Sequence, residues 1–410
     1  MLELFRKAYE VLNQNHNMLR LYTKDGVFAK KVGKISPLTP FPYRLEANSM
    51  APFSLWKNYI LTGNETFLNT LKKHFKFWEK AFVENSQNFP VFRHDPVLGE
   101  TVIDRLAHPD HRYNLTSSAL MIIYSIALLE TSNMEKKELK NLSNFVDYIN
   151  GSLDPHGIPV SIPPDVAYLE DSSLVYSALI HLSRIKYEDA FPSKKALYLA
   201  KVLQRAINEL WDRISVGFPR LISRNSVSLL DWENTEDVRA NLLAIFWELI
   251  PPDGRYAKAV WHRFKNRYPN WMITPTMPQL AVAAIAAKVG DYASLFPIIE
   301  EISAENSSIF NSADSENIIF TPFALSFLYD AMGAIVKEIE SDKNSAKIKL
   351  NILQDEARFS WYCPPQLNYL VKVNGKEELP EKIQGEGGAN FILTFRNYRG
   401  NELTIEIFIP

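Results

Sequence analysis

A single cysteine, Cys363, in 410 residues excludes an intramolecular disulfide. It stands beside Pro364 in a strand-like stretch, which suits a structural thiol better than a nucleophile. Charge of one sign is equally lacking. With 45 basic against 47 acidic side chains the formal net charge is −2, so neither nucleic acid nor an anionic membrane is attracted, and a neutral, polar partner is expected. The opening residues MLELFRKAYEVLNQN carry Lys and Glu inside an amphipathic pattern. They lack the apolar core of a signal peptide and the length of a membrane span, as expected of a cytoplasmic protein. Also missing are GxxxxGK(S/T), GxGxxG and GxSxG; GEGGAN at 385–390 reads as a turn between strands, so nucleotide and serine-hydrolase chemistry have no support. HExxH is absent too. His108 and His111, with Asp104 and Asp110 nearby, offer N and O donors, but without fixed helical spacing a hydrogen-bonded or sugar-contact role suits them better. No metal or cofactor is expected.

What the chain has in abundance is apolar residues at three- and four-residue spacing. They predict about twelve helices, near 1–14, 49–63, 64–84, 112–132, 135–151, 169–186, 193–211, 234–250, 254–268, 277–290, 291–305 and 318–340. Ser49, Asn64, Asn234 and Thr276 are the expected caps. The helices alternate in character. SLWKNYILTG, SALMIIYSIALLE, SLVYSALIHL, NLLAIFWELI, QLAVAAIAAKVG and FALSFLYDAMGAI are apolar nearly all round, whereas NTLKKHFKFWEKAF and ALYLAKVLQRAINELW keep a charged face. LTGNETFL and KVGDYASL repeat one device, an apolar helix ending at a glycine before an acidic restart. Six buried helices sheathed by six outer ones make an (α/α)6 toroid; an open solenoid shares the period but predicts less uniformly apolar inner helices.

From Ala346 the period becomes two, through KIKLNIL, ARFSWY, YLVKVNG, FILTFRN and ELTIEIFI, with turns at Asn374-Gly375, Gly387-Gly388 and Arg399-Gly400. The expected organisation is a mainly α chain, with the toroid over 1–340 and a small antiparallel β-sandwich-like domain over 346–410, joined by SDKNS. Trp361, Tyr362 and Tyr369 are expected in the core of that domain rather than stacked on a sugar.

In such a ring the N-termini of the inner helices converge on one mouth, and the loops ahead of them are where polar chemistry belongs. The first, PFPYRLEANS, brings Tyr43, Arg44 and Glu46. The second is long and concentrates His94, Asp95, Asp104, Arg105, His108, Asp110, His111 and Arg112. The third, PPDVAYLEDSS, sets Glu170 beside Asp171 at a helix start, where carboxylates also serve as caps. The fourth, SLLDWENTEDVRANLLAIF, supplies Asp231, Trp232, Glu233, Glu236, Asp237, Arg239 and Asn241, an aromatic, acids and a bidentate donor beyond what capping requires. The fifth offers Trp271 and Gln279, the sixth Asp314 and Glu316.

Acids on opposing loops of an aromatic-lined mouth suit glycoside hydrolysis, in which one carboxyl protonates the leaving oxygen while another activates water or attacks carbon. His94, His108, His111, Arg112 and Tyr113 also admit proton abstraction by a polysaccharide lyase or sugar epimerase. A noncatalytic carbohydrate-binding scaffold predicts that no acids share a pocket.

Three of these segments, PYRLEANSMAPFSLW, AYLEDSSLVYSAL and DVRANLLAIF, resemble loops of the six-hairpin glycosidases, in particular glucoamylase-like enzymes and the glucosidase domain of glycogen-debranching enzymes. The resemblance spans roughly 40–340 and implies an exo-acting glycosidase acting on an oligosaccharide or polysaccharide. It implies Glu170 as general acid, with Asp171 beside it, and a base at Asp314 or Glu316. It also implies sugar contacts from Arg44, Glu46, Arg239 and Asn241. Three features depart from the family: the Pro-Glu motif around the base is missing, the loops are short, and the β-domain lies at the C-terminal rather than the N-terminal end.

Overall fold

The computed structural model describes residues 1–15, 19, 45–84, 92–95, 100–103, 111–130, 141–160, 166–185, 192–223, 227–273, 277–304, 309–310, 315–365 and 367–409, with backbone alone at 45–50, 81, 92–95, 100–103, 111–114 and 315–316. Among these residues twelve α-helices occur: α1 (Glu3–Asn13), α2 (Leu45–Thr62), α3 (Glu65–Glu84), α4 (His111–Glu130), α5 (Leu142–Gly151), α6 (Leu169–Arg184), α7 (Ser193–Asn208), α8 (Thr235–Phe246), α9 (Arg255–Arg267), α10 (Gln279–Val289), α11 (Phe296–Ser303) and α12 (Ser315–Leu325).

The even-numbered helices form the inner ring. Each touches the next, and α12 returns to α2, a closure that an open solenoid cannot make. Burial follows the sequence alternation. Inner α10 buries every residue from Leu280 to Ala286. Outer α9 buries only Ala257, Val260, Trp261 and Phe264, a single stripe. Rings from three inner helices plug the axis: Phe53 of α2, Phe246 of α8 with Trp247 just beyond it, and Phe320 and Phe323 of α12, with centroids 5.0 to 6.5 Å apart. No described helix is long and apolar enough to cross a membrane.

Two of the expected caps form as expected, Asn64 Oδ1 accepting from Thr66 N and Asn234 Oδ1 from Glu236 N, both at 3.0 Å. Ser49 lies within α2, which begins earlier at Leu45. Gly63 and Gly290, the glycines of the repeated device, take φ of +64° and +77° after α2 and α10.

The single helix expected over 318–340 is corrected. Four short strands precede it, β1 (Phe92–Asp95), β2 (Glu100–Ile103), β3 (Val166–Tyr168) and β4 (Leu221–Ser223); helix α12 stops at Leu325, and the chain continues as β5 (Tyr329–Met332) and β6 (Ala334–Ser341), turning at Gly333 with φ +68°. Their partners explain it, because β6 forms a hairpin with β7 (Ser345–Ile352), and β5 pairs with β8 (Glu356–Cys363), about thirty residues on and beyond the reach of a local periodicity. With β9 (Leu370–Val373), β10 (Lys376–Glu377), β11 (Glu381–Gly385), β12 (Gly388–Arg396) and β13 (Glu402–Phe408) they make two antiparallel sheets, ordered β10-β9-β13-β7-β6 and β11-β12-β8-β5. Trp361 and Tyr362 are fully buried in this region, and burial raises the thiol pKa of Cys363 beside them.

The sheets rest on the C-terminal ends of the inner helices. Strands β5 and β6 touch α2, and Tyr9 of α1 donates to the carbonyl oxygens of Lys337 at 2.9 Å and Thr62 at 3.1 Å. A Cβ on Gly385 would come within 2.5 Å of the Gly290 carbonyl oxygen, so this contact admits glycine alone. The ring therefore has one mouth covered by sheet and one formed by helix N-termini.

Candidate active site at the mouth of helix N-termini

Two acid pairs open adjacent inner helices: Glu170-Asp171 on α6 and Glu236-Asp237 on α8. A short antiparallel ladder positions the first. Residues Val166–Tyr168 pair with Leu221–Ser223, and Leu169 N donates to Arg220 O at 3.0 Å, which sets the Arg220 side chain against α6. Arg220 Nε donates to Glu170 Oε1 and Nη2 to Glu236 Oε2, each at 2.9 Å, so one guanidinium fork ties the two helix starts together. The Tyr168 ring lies 6.0 Å from the guanidinium carbon.

The Glu170 carboxylate is the exceptional group. Its side chain is 17% exposed, Oε1 is held by Arg220, and Oε2 is buried with no hydrogen-bond partner among the described residues. A buried acceptor left unpaired costs stability, and among the unpaired buried atoms of the described residues this is the one that belongs to a carboxylate. Asp171 is buried behind it. Asp237 is buried as well and accepts from Asp231 N at 2.9 Å.

Several residues expected to face substrate are instead engaged within the fold. Asn241 is fully buried; its Oδ1 accepts from Phe218 N at 2.8 Å, and its Nδ2 donates to Phe218 O at 2.9 Å and Asp237 O at 3.0 Å. Gly217 makes this clamp fit, since a Cβ there would lie 2.9 Å from Asn241 Oδ1 and 2.4 Å from Leu230. Trp232 is buried and donates from its indole to Ser215 O at 2.7 Å. Glu233 pairs with Arg267 on the surface, Trp271 is buried, and Arg239 is partly exposed. Glu46, His111, Arg112 and Glu316 occupy the first turns of α2, α4 and α12 by backbone, while Tyr43, Arg44, His108 and Asp314 lie outside the described residues. Sequence reasoning missed Arg220. Its only signal is its place in GFPRLIS, a strand-forming stretch with no helix start of its own.

It also missed the opposite mouth. There a cavity of about 330 Å³ is lined by the C-terminal turns of α2, α6, α8, α10 and α12 and by the sheet, including Trp56, Lys57, His181, Trp247, Lys288 and Asp330. Lys288 Nζ lies 2.7 Å from Glu248 Oε1, Arg184 Nη2 lies 3.7 Å from Oε2, and Lys57 pairs with Asp330. Lys288 holds the Glu248 carboxyl down to about 2, whereas burial pushes Glu130, at the end of α4, up to about 7.

No family model matches the sequence, and no curated protein matches it. Solved structures do match in shape. An inactive variant of the α-1,6-mannanase GH76A of Salegentibacter sp. HEL1_6, with two aspartates replaced and α-1,6-mannotetrose bound, superposes with a TM-score of 0.51 at 11% identity, over 78% of this chain and 96% of its own. An unsaturated glucuronyl hydrolase specific for heparin gives a TM-score of 0.51 at 11% identity, over 79% and 96%. The shared feature is the (α/α)6 toroid.

Proposed function

We propose that the chain is a glycoside hydrolase working at the helix N-terminal mouth, with Glu170 as its general acid and Glu316 or Asp314 as the base. The observation that carries this is the Glu170 carboxylate, fixed through Oε1 by Arg220 while Oε2 has no partner among the described residues. Arg220 orients this carboxyl at the head of an inner helix, and Oε2, buried in this conformation, is the oxygen that would carry the proton and must be uncovered for it to reach a leaving group. Arg220 acts as a positioning residue, holding Glu170 against α8 through Glu236. The neighbouring enzymes support the reading: the mannanase variant is inactive with two consecutive aspartates replaced, and this chain starts two inner helices with consecutive acids.

Exo action is part of the same proposal. The plug of Phe53, Phe246, Trp247, Phe320 and Phe323, with the sheet beyond it, bars a polymer from threading through the ring and supports a substrate held by its end. The test is a screen of aryl glycosides and oligosaccharides with the wild type, Glu170→Gln and Glu316→Gln. Loss of turnover in both variants supports the pair; full activity in both would overturn it, and products absorbing in the ultraviolet would mark a lyase instead.

A further inference from the structure

The cavity under the sheet is remote from the acid pairs, on the far side of the aromatic plug. Its volume of about 330 Å³ lies at the small end of the range for ligand pockets. Its walls combine flat rings, Phe53, Trp56, Trp247 and Phe323, with charged groups. The charges are largely matched among themselves: Lys57 with Asp330, and Lys288 with Glu248. Arg184, 56% exposed, stands at the rim 3.7 Å from Glu248, and its excess positive charge faces the partial negative ends of the inner helices. A charged ligand gains little field there and would disturb pairs already formed.

One residue carries a conformational cost. Glu248 follows the end of α8 with φ +65°, a left-handed position where glycine or asparagine is usual. A glutamate there is strained, and its carboxylate is set at the cavity wall between two cations. Strain of this kind gathers at ligand-binding positions. The indole nitrogen of Trp56, a wall residue, is buried without a hydrogen-bond partner among the described residues.

We infer that this cavity is a second saccharide site, which takes a neutral mono- or disaccharide with its C–H faces on Trp247 and Phe53 and its hydroxyls bridging the Glu248–Lys288 and Lys57–Asp330 pairs. Paired ions serve polyols well, the carboxylate accepting from one hydroxyl while the ammonium donates to the next. The site is independent of the chemistry at the opposite mouth.

The test is fluorine NMR of protein labelled with 5-fluorotryptophan, with the Trp56 and Trp247 resonances assigned by Trp→Phe substitution. Titrants are glucose, mannose and maltose, with glucuronate and choline as charged counterparts. Neutral sugars are expected to shift both resonances saturably, and Glu170→Gln to leave those shifts unchanged. Glu248→Gly relieves the backbone strain, so the expected result is binding weakened at least about tenfold with no fall in Tm. Lys57→Met, which keeps the side-chain stem, is expected to weaken binding similarly. Three results would overturn the inference: neither resonance moving up to the solubility limit of the sugars, tighter binding of glucuronate or choline, or unchanged binding in both variants.

Discussion

The two mouths of the ring are built from opposite ends of the same helices, and they treat charge in opposite ways. At the N-terminal mouth Glu170 keeps one oxygen without a partner among the described residues, while Arg220 holds the other. At the C-terminal mouth Glu248 binds Lys288 through one oxygen and faces Arg184 with the other. Helix dipoles account for part of this, favouring acids at the first turns and bases at the last. The remainder is the covering: the sheet over the C-terminal mouth partly shuts its charges away from water, and charges so enclosed are stable only when paired.

Four measurements would break or sharpen that contrast. The largest effect is expected from Glu170→Gln, which should lower kcat/KM on a glycoside substrate by about 10²–10⁴ while leaving Tm nearly unchanged, because the amide oxygen still accepts from Arg220. Arg220→Met should reduce kcat by roughly ten- to a hundredfold, since Glu170 loses the donor that orients it; an unchanged kcat would show that orientation comes from elsewhere. Asn241→Ala should lower the unfolding free energy by about 2–3 kcal/mol in denaturant titrations, through orphaned backbone groups of Phe218. The smallest effect is a pH dependence from the covered mouth. Glu130 is raised from 4.5 to about 7, so its contribution is intact below about 4.5 and lost as pH rises toward 7. Glu248, lowered to about 2, contributes above about 4.5, and that contribution is lost as pH falls toward 2. Stability followed against pH should therefore flatten between about pH 4.5 and 7 in Glu130→Gln and between about pH 2 and 4.5 in Glu248→Gly.

The ring was legible because its information is local. Each inner helix is apolar all round, and that pattern is written within about eleven to twenty residues, as in Leu280 to Ala286. The acid pairs were legible for the same reason, since a helix start announces itself by position. What escaped was assembled across the chain. Arg220 reaches Glu170 only because Leu221–Ser223 pairs with Val166–Tyr168. Strand β5 reads as the tail of a helix until β8 is beside it. Lys57, Arg184 and Lys288 each resemble an ordinary basic residue near a helix end, and only ring closure brings them to one cavity. Trp232 and Asn241 show the converse, polar and aromatic content that looks functional in one dimension and is buried against backbone in three.

The clasp between the first helix and the sheet bears on how the molecule comes into being. Tyr9 meets Lys337 across 328 positions, and α2 completes the ring only when α12 arrives. On a ribosome adding roughly 5–20 residues per second, the apolar faces of α1 and α2 wait on the order of 15–60 seconds for their last neighbours. A nascent toroid is an open arc throughout that interval, with its inner helices exposed to any chaperone or to another nascent arc. Swapping of terminal helix pairs between two such arcs is the misassembly to which this architecture is most open.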